Sequence, residues 1–252
     1  MGIAGPLRLA AFLLGIEGLV AALHAQPFTL HYDVRFGPLR ILSMQTTVDL
    51  EPERYRTQTR LRTEGLVGVL FPWTAESTTE GTRSPLRPSW HTSEGRYRSQ
   101  RRTVELRYAG DGSVEARVEP PLDADSHALV SPAARRATVD PLTASLAAME
   151  QACTGRIPVF DGRRRYDLRL EDRGSSEVPR TRGALYTGPA QRCRALIEPR
   201  AGAWDADASG EEPPAALEFW IASPRADLVP VPVYLELSGR RGALHIPLTA
   251  IE

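Results

Sequence analysis

The chain has 252 residues, with 31 basic and 31 acidic side chains and a formal net charge of zero. A nucleic-acid binder needs a basic excess, so that class is set aside. Every basic residue is Arg, so the cations keep their charge at any accessible pH and favour bidentate contacts with carboxylate or phosphate.

The chain starts with a short segment, Met1 to Arg8, carrying one positive charge, followed by an apolar run from Leu9 to Leu23. Leu23-His24-Ala25 places a small residue before Gln26. This three-part layout is that of a secretory signal. The run is short for a membrane span, and Glu17 sits in its middle, where lipid would penalise a charge. No Cys follows it for lipid attachment. The expectation is a chain exported to the periplasm and cleaved near Ala25, with residues 26–252 forming one domain.

From there the pattern alternates with period two. Leu30, Tyr32, Val34 and Phe36 share one face, and Leu42, Met44, Thr46, Val48 and Leu50 repeat the pattern. Tyr55, Thr57, Thr59 and Leu61 oppose a row of Arg54, Arg56, Arg60 and Arg62. Such alternation marks half-buried strands. The arginine row, with Arg96, Arg98, Arg101 and Arg102 and then Arg163 to Arg165, reads as a solvated face balanced by acids, or else as a surface for anionic groups.

Gly65-Leu-Val-Gly-Val-Leu-Phe-Pro-Trp73 breaks the alternation. Connections between strands are normally polar and exposed; this one is apolar. It is buried as a plug, lies over a ligand as a lid, or touches a membrane. Leu66, Val69, Leu70, Phe71 and Trp73 are the candidate ligand-contacting residues.

Val104, Leu106 and Tyr108 lead to Asp111-Gly112 and then Val114, Ala116 and Val118, a hairpin signal. After a polar stretch, 119–136, Asp140 and Pro141 form a helix start, with Leu142, Leu146 and Met149 at helical spacing and Gly155 as a stop. Further strands follow at Tyr166–Leu170, Cys193–Ile197 and Leu217–Ile221, and a closing hairpin joins Val229–Leu237 to Leu244–Leu248. Pro230 and Pro232 remove two donors from one side of a strand, so that strand should border an opening, a bulge or a sheet edge. Stretches 174–183 and 200–214 read as loops. Roughly ten strands at short spacing predict a mainly β, single antiparallel barrel, incomplete, with one packed helix.

Cys153 and Cys193 are the two cysteines, an even count in an exported chain, and read as a structural disulfide. The histidines His31, His91, His127 and His245 are scattered, and no hydrolase, zinc or phosphate-loop signature is present. Asp205 to Glu211 matches the first half of a calcium loop, but Pro213, Pro214 and Ala216 break the second half. The reading is no enzyme, no metal site and no cofactor.

Several of these pieces together resemble the bacterial exported family called domain of unknown function 3108. They are Tyr32-Asp-Val, the Gly65 to Pro72 loop, Val139-Asp-Pro-Leu-Thr-Ala144, Pro158 to Asp167, Cys193, and Phe219-Trp-Ile-Ala-Ser-Pro before Val229-Pro-Val-Pro-Val233. The resemblance implies an exported β-rich protein, similar in fold to periplasmic lipoprotein carriers, whose curved sheet wraps helices and leaves an apolar cavity. It assigns no catalytic residue. The functional expectation is a binding or carrier protein for an apolar or lipid-like ligand, with peripheral contact to envelope membranes. The alternative is a structural or protein-interaction component of the envelope.

Overall fold

The computed structural model describes residues 26–121, 129–202, 216–239 and 242–252. The signal segment, His127, the acidic run Asp205 to Glu211 and the centre of the last turn, Arg240 and Arg241, lie outside the described residues.

Seven strands come first: β1 (Phe28–Phe36), β2 (Leu39–Leu50), β3 (Arg54–Thr63), β4 (Trp73–Arg83), β5 (Leu86–Tyr97), β6 (Gln100–Tyr108) and β7 (Val114–Glu119), with the short helix α1 (Gly65–Leu70) between β3 and β4. Helix α2 (Pro141–Glu150) follows. Then come β8 (Gly155–Phe160), β9 (Arg165–Glu177), β10 (Pro189–Ala201), β11 (Ala216–Ala222), β12 (Val231–Gly239) and β13 (Gly242–Ile251). All thirteen form one sheet in the order β7-β6-β5-β4-β3-β2-β1-β13-β12-β11-β10-β9-β8. Each half is a meander, and β1 pairs antiparallel with β13 to join them. The expected incomplete antiparallel barrel is the observed fold.

Three of the thirteen strands, β4, β5 and β8, are not marked by the apolar alternation. β4 and β5 hardly register as strands in hydropathy because their inward rows are Ser77, Thr79, His91 and Ser93. These hydroxyls pair across strands instead: Ser77 donates to Ser93 at 2.9 Å, and Thr46 and Thr59 share a bond of 3.0 Å on the same face. Cross-strand hydroxyl pairs stabilise a ladder much as apolar pairs do. The stretch read as a loop at 174–183 is partly strand, since β9 runs on to Glu177. The double proline does not mark an edge. β12 lies inside the sheet, Pro232 sits opposite Ile221 beside a register shift, and pairing with β13 begins only at Tyr234. The missing donors are absorbed by that bulge.

The edges are β7 and β8, and no ladder joins them. The segment before α2 bridges the gap. Ala137 N–H donates to Gly112 O in the β6–β7 turn, and Val139 exchanges bonds with Pro158 and Phe160 of β8, all at 2.9 Å. Phe160 then packs with Leu106 and Val114 from the far edge. Gly162 makes the close approach possible: at φ +95°, a side chain there would come within 2.4 Å of Val104.

α2 fills the interior. Thr143, Ala144, Leu146, Ala147 and Ala148 are all buried, a wider face than the single apolar stripe expected. Alanines bring the helix backbone close to Ile157, Val159, Leu170 and Phe219. Just past the helix, Cys153 bonds to Cys193 of β10 with Cα atoms 5.6 Å apart, tying the helix end to the sheet as read from the sequence.

Candidate functional site

The end of the sheet where α1 lies is built from the β1–β2 turn, α1 and the β5–β6 turn. Glu64 N–H donates to Ile41 O at 2.9 Å, fixing α1 against β2. Thr63 Oγ1 accepts from Trp73 N–H at 3.0 Å, closing the base of the excursion. Gly68 has no room for a side chain, since one would meet the Thr63 carbonyl at 2.8 Å. The backbone of α1 is thus pinned, while its apolar side chains point away from the sheet.

The exposures decide between the readings of this segment. Leu66 is 81% exposed, Val69 77%, Leu70 62% and Phe71 52%. The segment is not a plug. Trp73 differs from the other four: it starts β4, opposite Tyr97, and is half-buried. The structure adds two residues that the strand pattern concealed, Phe36 and Leu39, exposed in the neighbouring turn. Their signal was the apolar turn Phe36-Gly37-Pro38-Leu39, where a polar sequence is usual. Six exposed apolar side chains at one end of a charge-balanced chain form a patch of the kind that marks a contact surface.

A groove of about 620 Å³ runs along the outer face of β2 to β5. Its walls are Arg60, Arg62, Glu76, Glu94 and hydroxyls such as Thr74 and Thr92. Arg60 pairs with Glu76 at 3.2 Å, and Gln58 donates to the same carboxylate at 2.7 Å. Charged and hydroxyl-bearing side chains line this open face, unlike the enclosed apolar cavity implied by the resemblance, and α2 packs inside the barrel.

The second cluster is internal and was not anticipated. Asp140 caps α2 by accepting from the backbone N–H groups of Leu142 and Thr143, at 2.9 and 3.1 Å. The hydroxyl of Thr79 donates to Asp140 Oδ1 at 2.7 Å, and Thr143 Oγ1 donates to Oδ2. His91 Nδ1 lies 2.7 Å from Thr79 Oγ1 and 3.2 Å from Asp140 Oδ1. Since the Thr79 proton is committed to Asp140, Nδ1 carries the proton and donates. Tyr55 likewise donates to Thr143 at 2.6 Å. Burial alone would raise the carboxyl of Asp140; the hydrogen bonds and charge of His91, with the two threonines, outweigh it and hold the group below the usual carboxylate range. The Thr79, His91 and Asp140 side chains are at most 3% exposed. The arrangement anchors the helix start to β3, β4 and β5. Its sequence signal was partial, since the cap was readable and the partners were not. Among the described residues, no group of three His, Cys, Asp or Glu side chains is placed to hold a metal ion.

A family model described as protein of unknown function, DUF3108, matches residues 31–239. The chain belongs to this family. The match runs from within β1 to the end of β12 and includes α2 and the apolar tip. Among solved structures, the chain is similar to the beta-barrel-like protein of domain of unknown function DUF1849 from Brucella abortus, a crystal structure. The identity is 9%, with 91% of this chain and 98% of that chain covered and a TM-score of 0.51. At that identity the likeness is one of fold alone. No curated protein matches.

Proposed function

We propose that this family member is an exported, non-enzymatic envelope protein that binds an apolar or lipid-like partner, and that it does so at the tip formed by α1 and the β1–β2 turn. The observation that carries the reading is the exposure of Leu66, Val69, Leu70 and Phe71 on a pinned backbone. Leaving such side chains in water forgoes about 1.5–3 kcal/mol each relative to burial, which a partner surface would recover. Export is supported by the secretory layout of the first 25 residues and by the Cys153–Cys193 disulfide, a bond that persists in oxidising compartments.

The test is native mass spectrometry of the protein purified gently from periplasm, followed by lipid extraction. The expected result is a bound lipid, released on unfolding, whose retention falls in a Phe71→Ala variant that melts as the wild type does. A clean apo mass with no extractable lipid, together with no uptake of added lipid, would overturn the proposal.

A further inference from the structure

Charge around the tip is unevenly placed. Glu64 is shared by Arg62 at 2.8 Å and Arg40 at 3.7 Å. Glu94 is shared by Arg101 at 2.6 Å and by Arg96. Asp33 is shared by Arg35 and Arg40. Arg102 and Arg98 make no ion pair among the described residues, and the guanidinium of Arg98 lies 5.3 Å from the centre of the Tyr97 ring. The strand ends bordering the tip thus turn Arg40, Arg62, Arg96, Arg98, Arg101 and Arg102 outward, beside Glu64, Glu94 and Asp33 and with Glu76 and Glu119 in register with Glu94, on a chain whose net charge is zero.

Two of the carboxylates, Glu64 and Glu94, are also recessed. The Glu64 side chain is 17% exposed, whereas that of Arg62 above it is 69% exposed; Glu94 and its partners Arg96 and Arg101 show the same order. What faces outward around the apolar tip is thus a collar of guanidinium groups. Half-buried Trp73 and Tyr97 sit opposite each other, one register step nearer α1 than Arg62, Arg96 and Arg101.

This sequence of layers, apolar apex, aromatic shoulder and cationic collar, follows the layers of a bilayer surface from acyl chains to headgroups. Aromatic rings favour the headgroup level, and arginines are attracted to an anionic surface. A pocket for one lipid molecule would need concave apolar walls, and Leu66, Val69, Leu70 and Phe71 are each more than half exposed. A protein partner would account for the apex, but for the collar only if it carried a matching ring of carboxylates.

Building on the proposed lipid-binding function, we infer that the partner is the surface of an anionic phospholipid bilayer, into which the α1 tip inserts while the arginine collar contacts phosphate. The domain would bind upright, with the strands of β1 to β6 running away from the membrane. No described helix is long and apolar enough to cross a membrane; the contact is peripheral.

The experiment is flotation of the mature full chain with vesicles of phosphatidylcholine alone, or with about a third of it replaced by phosphatidylglycerol. The double variant Val69→Ser, Leu70→Ser removes apex side chains, and Arg98→Gln with Arg102→Gln removes two collar charges. All four positions are exposed, so melting curves should match wild type. The expected result is flotation with anionic vesicles that weakens with salt as the Debye length shrinks. It should weaken at least about tenfold in the apex variant, and the collar variant should lose the preference for anionic lipid. Equal flotation on both vesicle types, or an apex variant that floats like wild type, would overturn the inference. So would absence of flotation from a protein that still retains lipid in the mass spectrum, which would leave the lipid-binding proposal standing with a single-molecule ligand. Absence of both would remove both. A dimer that depends on Val69 and Leu70 and does not float would identify a second copy as the occupant and likewise overturn the inference.

Discussion

Replacing Asp140 with Ala should be among the most damaging single changes away from the apolar core. Three losses combine. The helix loses its N-cap, worth about 1 kcal/mol. The hydroxyls of Thr79 and Thr143 lose their acceptor, and His91 Nδ1 keeps only Thr79. An unsatisfied buried donor costs about 1–3 kcal/mol, although rotating hydroxyls recover part of it. The sum is about 4 kcal/mol, or about 8–16 °C in Tm for a domain of this size. The assay is urea and thermal unfolding of the mature protein, oxidised throughout. Asp140→Asn should lie between, because an amide oxygen can still cap the helix but its NH₂ meets the Thr143 hydroxyl, which already receives the Tyr55 proton. Combining Asp140→Ala with Thr143→Ala should be non-additive, since the two share one network. A loss below about 1 kcal/mol for Asp140→Ala would refute the reasoning, because it would mean that water satisfies these groups and that the cluster does not hold the helix.

Two further outcomes are expected. Cys153→Ala opens a loop with a separation of 40 residues and should cost about 4 kcal/mol under oxidising conditions in the chain-entropy model; the wild type kept in reductant should melt with the variant, and equal melting of oxidised wild type and variant would refute a stabilising bond. Acid should also destabilise the protein. Asp140 and Asp167 are both pushed up by burial but more strongly held down, Asp140 as above and Asp167 by Arg165, Arg200 and Arg156. A depressed carboxyl contributes stability that is complete above its unfolded value of about 3.9 and is lost as pH falls through the folded value. Tm should therefore fall below about pH 4, with a shallower fall in Asp140→Asn; a Tm unchanged from neutral pH down to about 3 would count against both assignments.

Several features were legible because their causes are local. Asp140-Pro141 starts a helix through its own backbone geometry, Asp111-Gly112 turns a hairpin, and alternation from Leu30 to Leu61 forms strands wherever one face meets a core. The strands β4 and β5 were hidden because their inward row is Ser, Thr and His; without an apolar period, only pairing with β3 and β6 defines them. The prolines at 230 and 232 correctly signalled lost hydrogen bonds, but whether that loss becomes an edge or a bulge depends on what lies on either side of the strand. The apolar segment Gly65 to Trp73 was conspicuous in sequence, but its composition favoured burial, and only the structure shows it exposed.

Composition and short-range pattern thus determined the β class, the helix start, the paired cysteines and the presence of an unusual apolar connection, since each rests on residues within a few positions of one another or on simple counts. Tertiary structure decided the rest. It joined β1 to β13, set β7 and β8 as edges closed by Phe160 and Gly162, buried His91 against Asp140, and turned Leu66 to Phe71 outward beside Phe36 and Leu39 within a collar of arginines. Those arrangements bring together residues as far apart as Leu30 and Ile251, and a contact at that separation is fixed by how the whole sheet curls and not by the preferences of either partner.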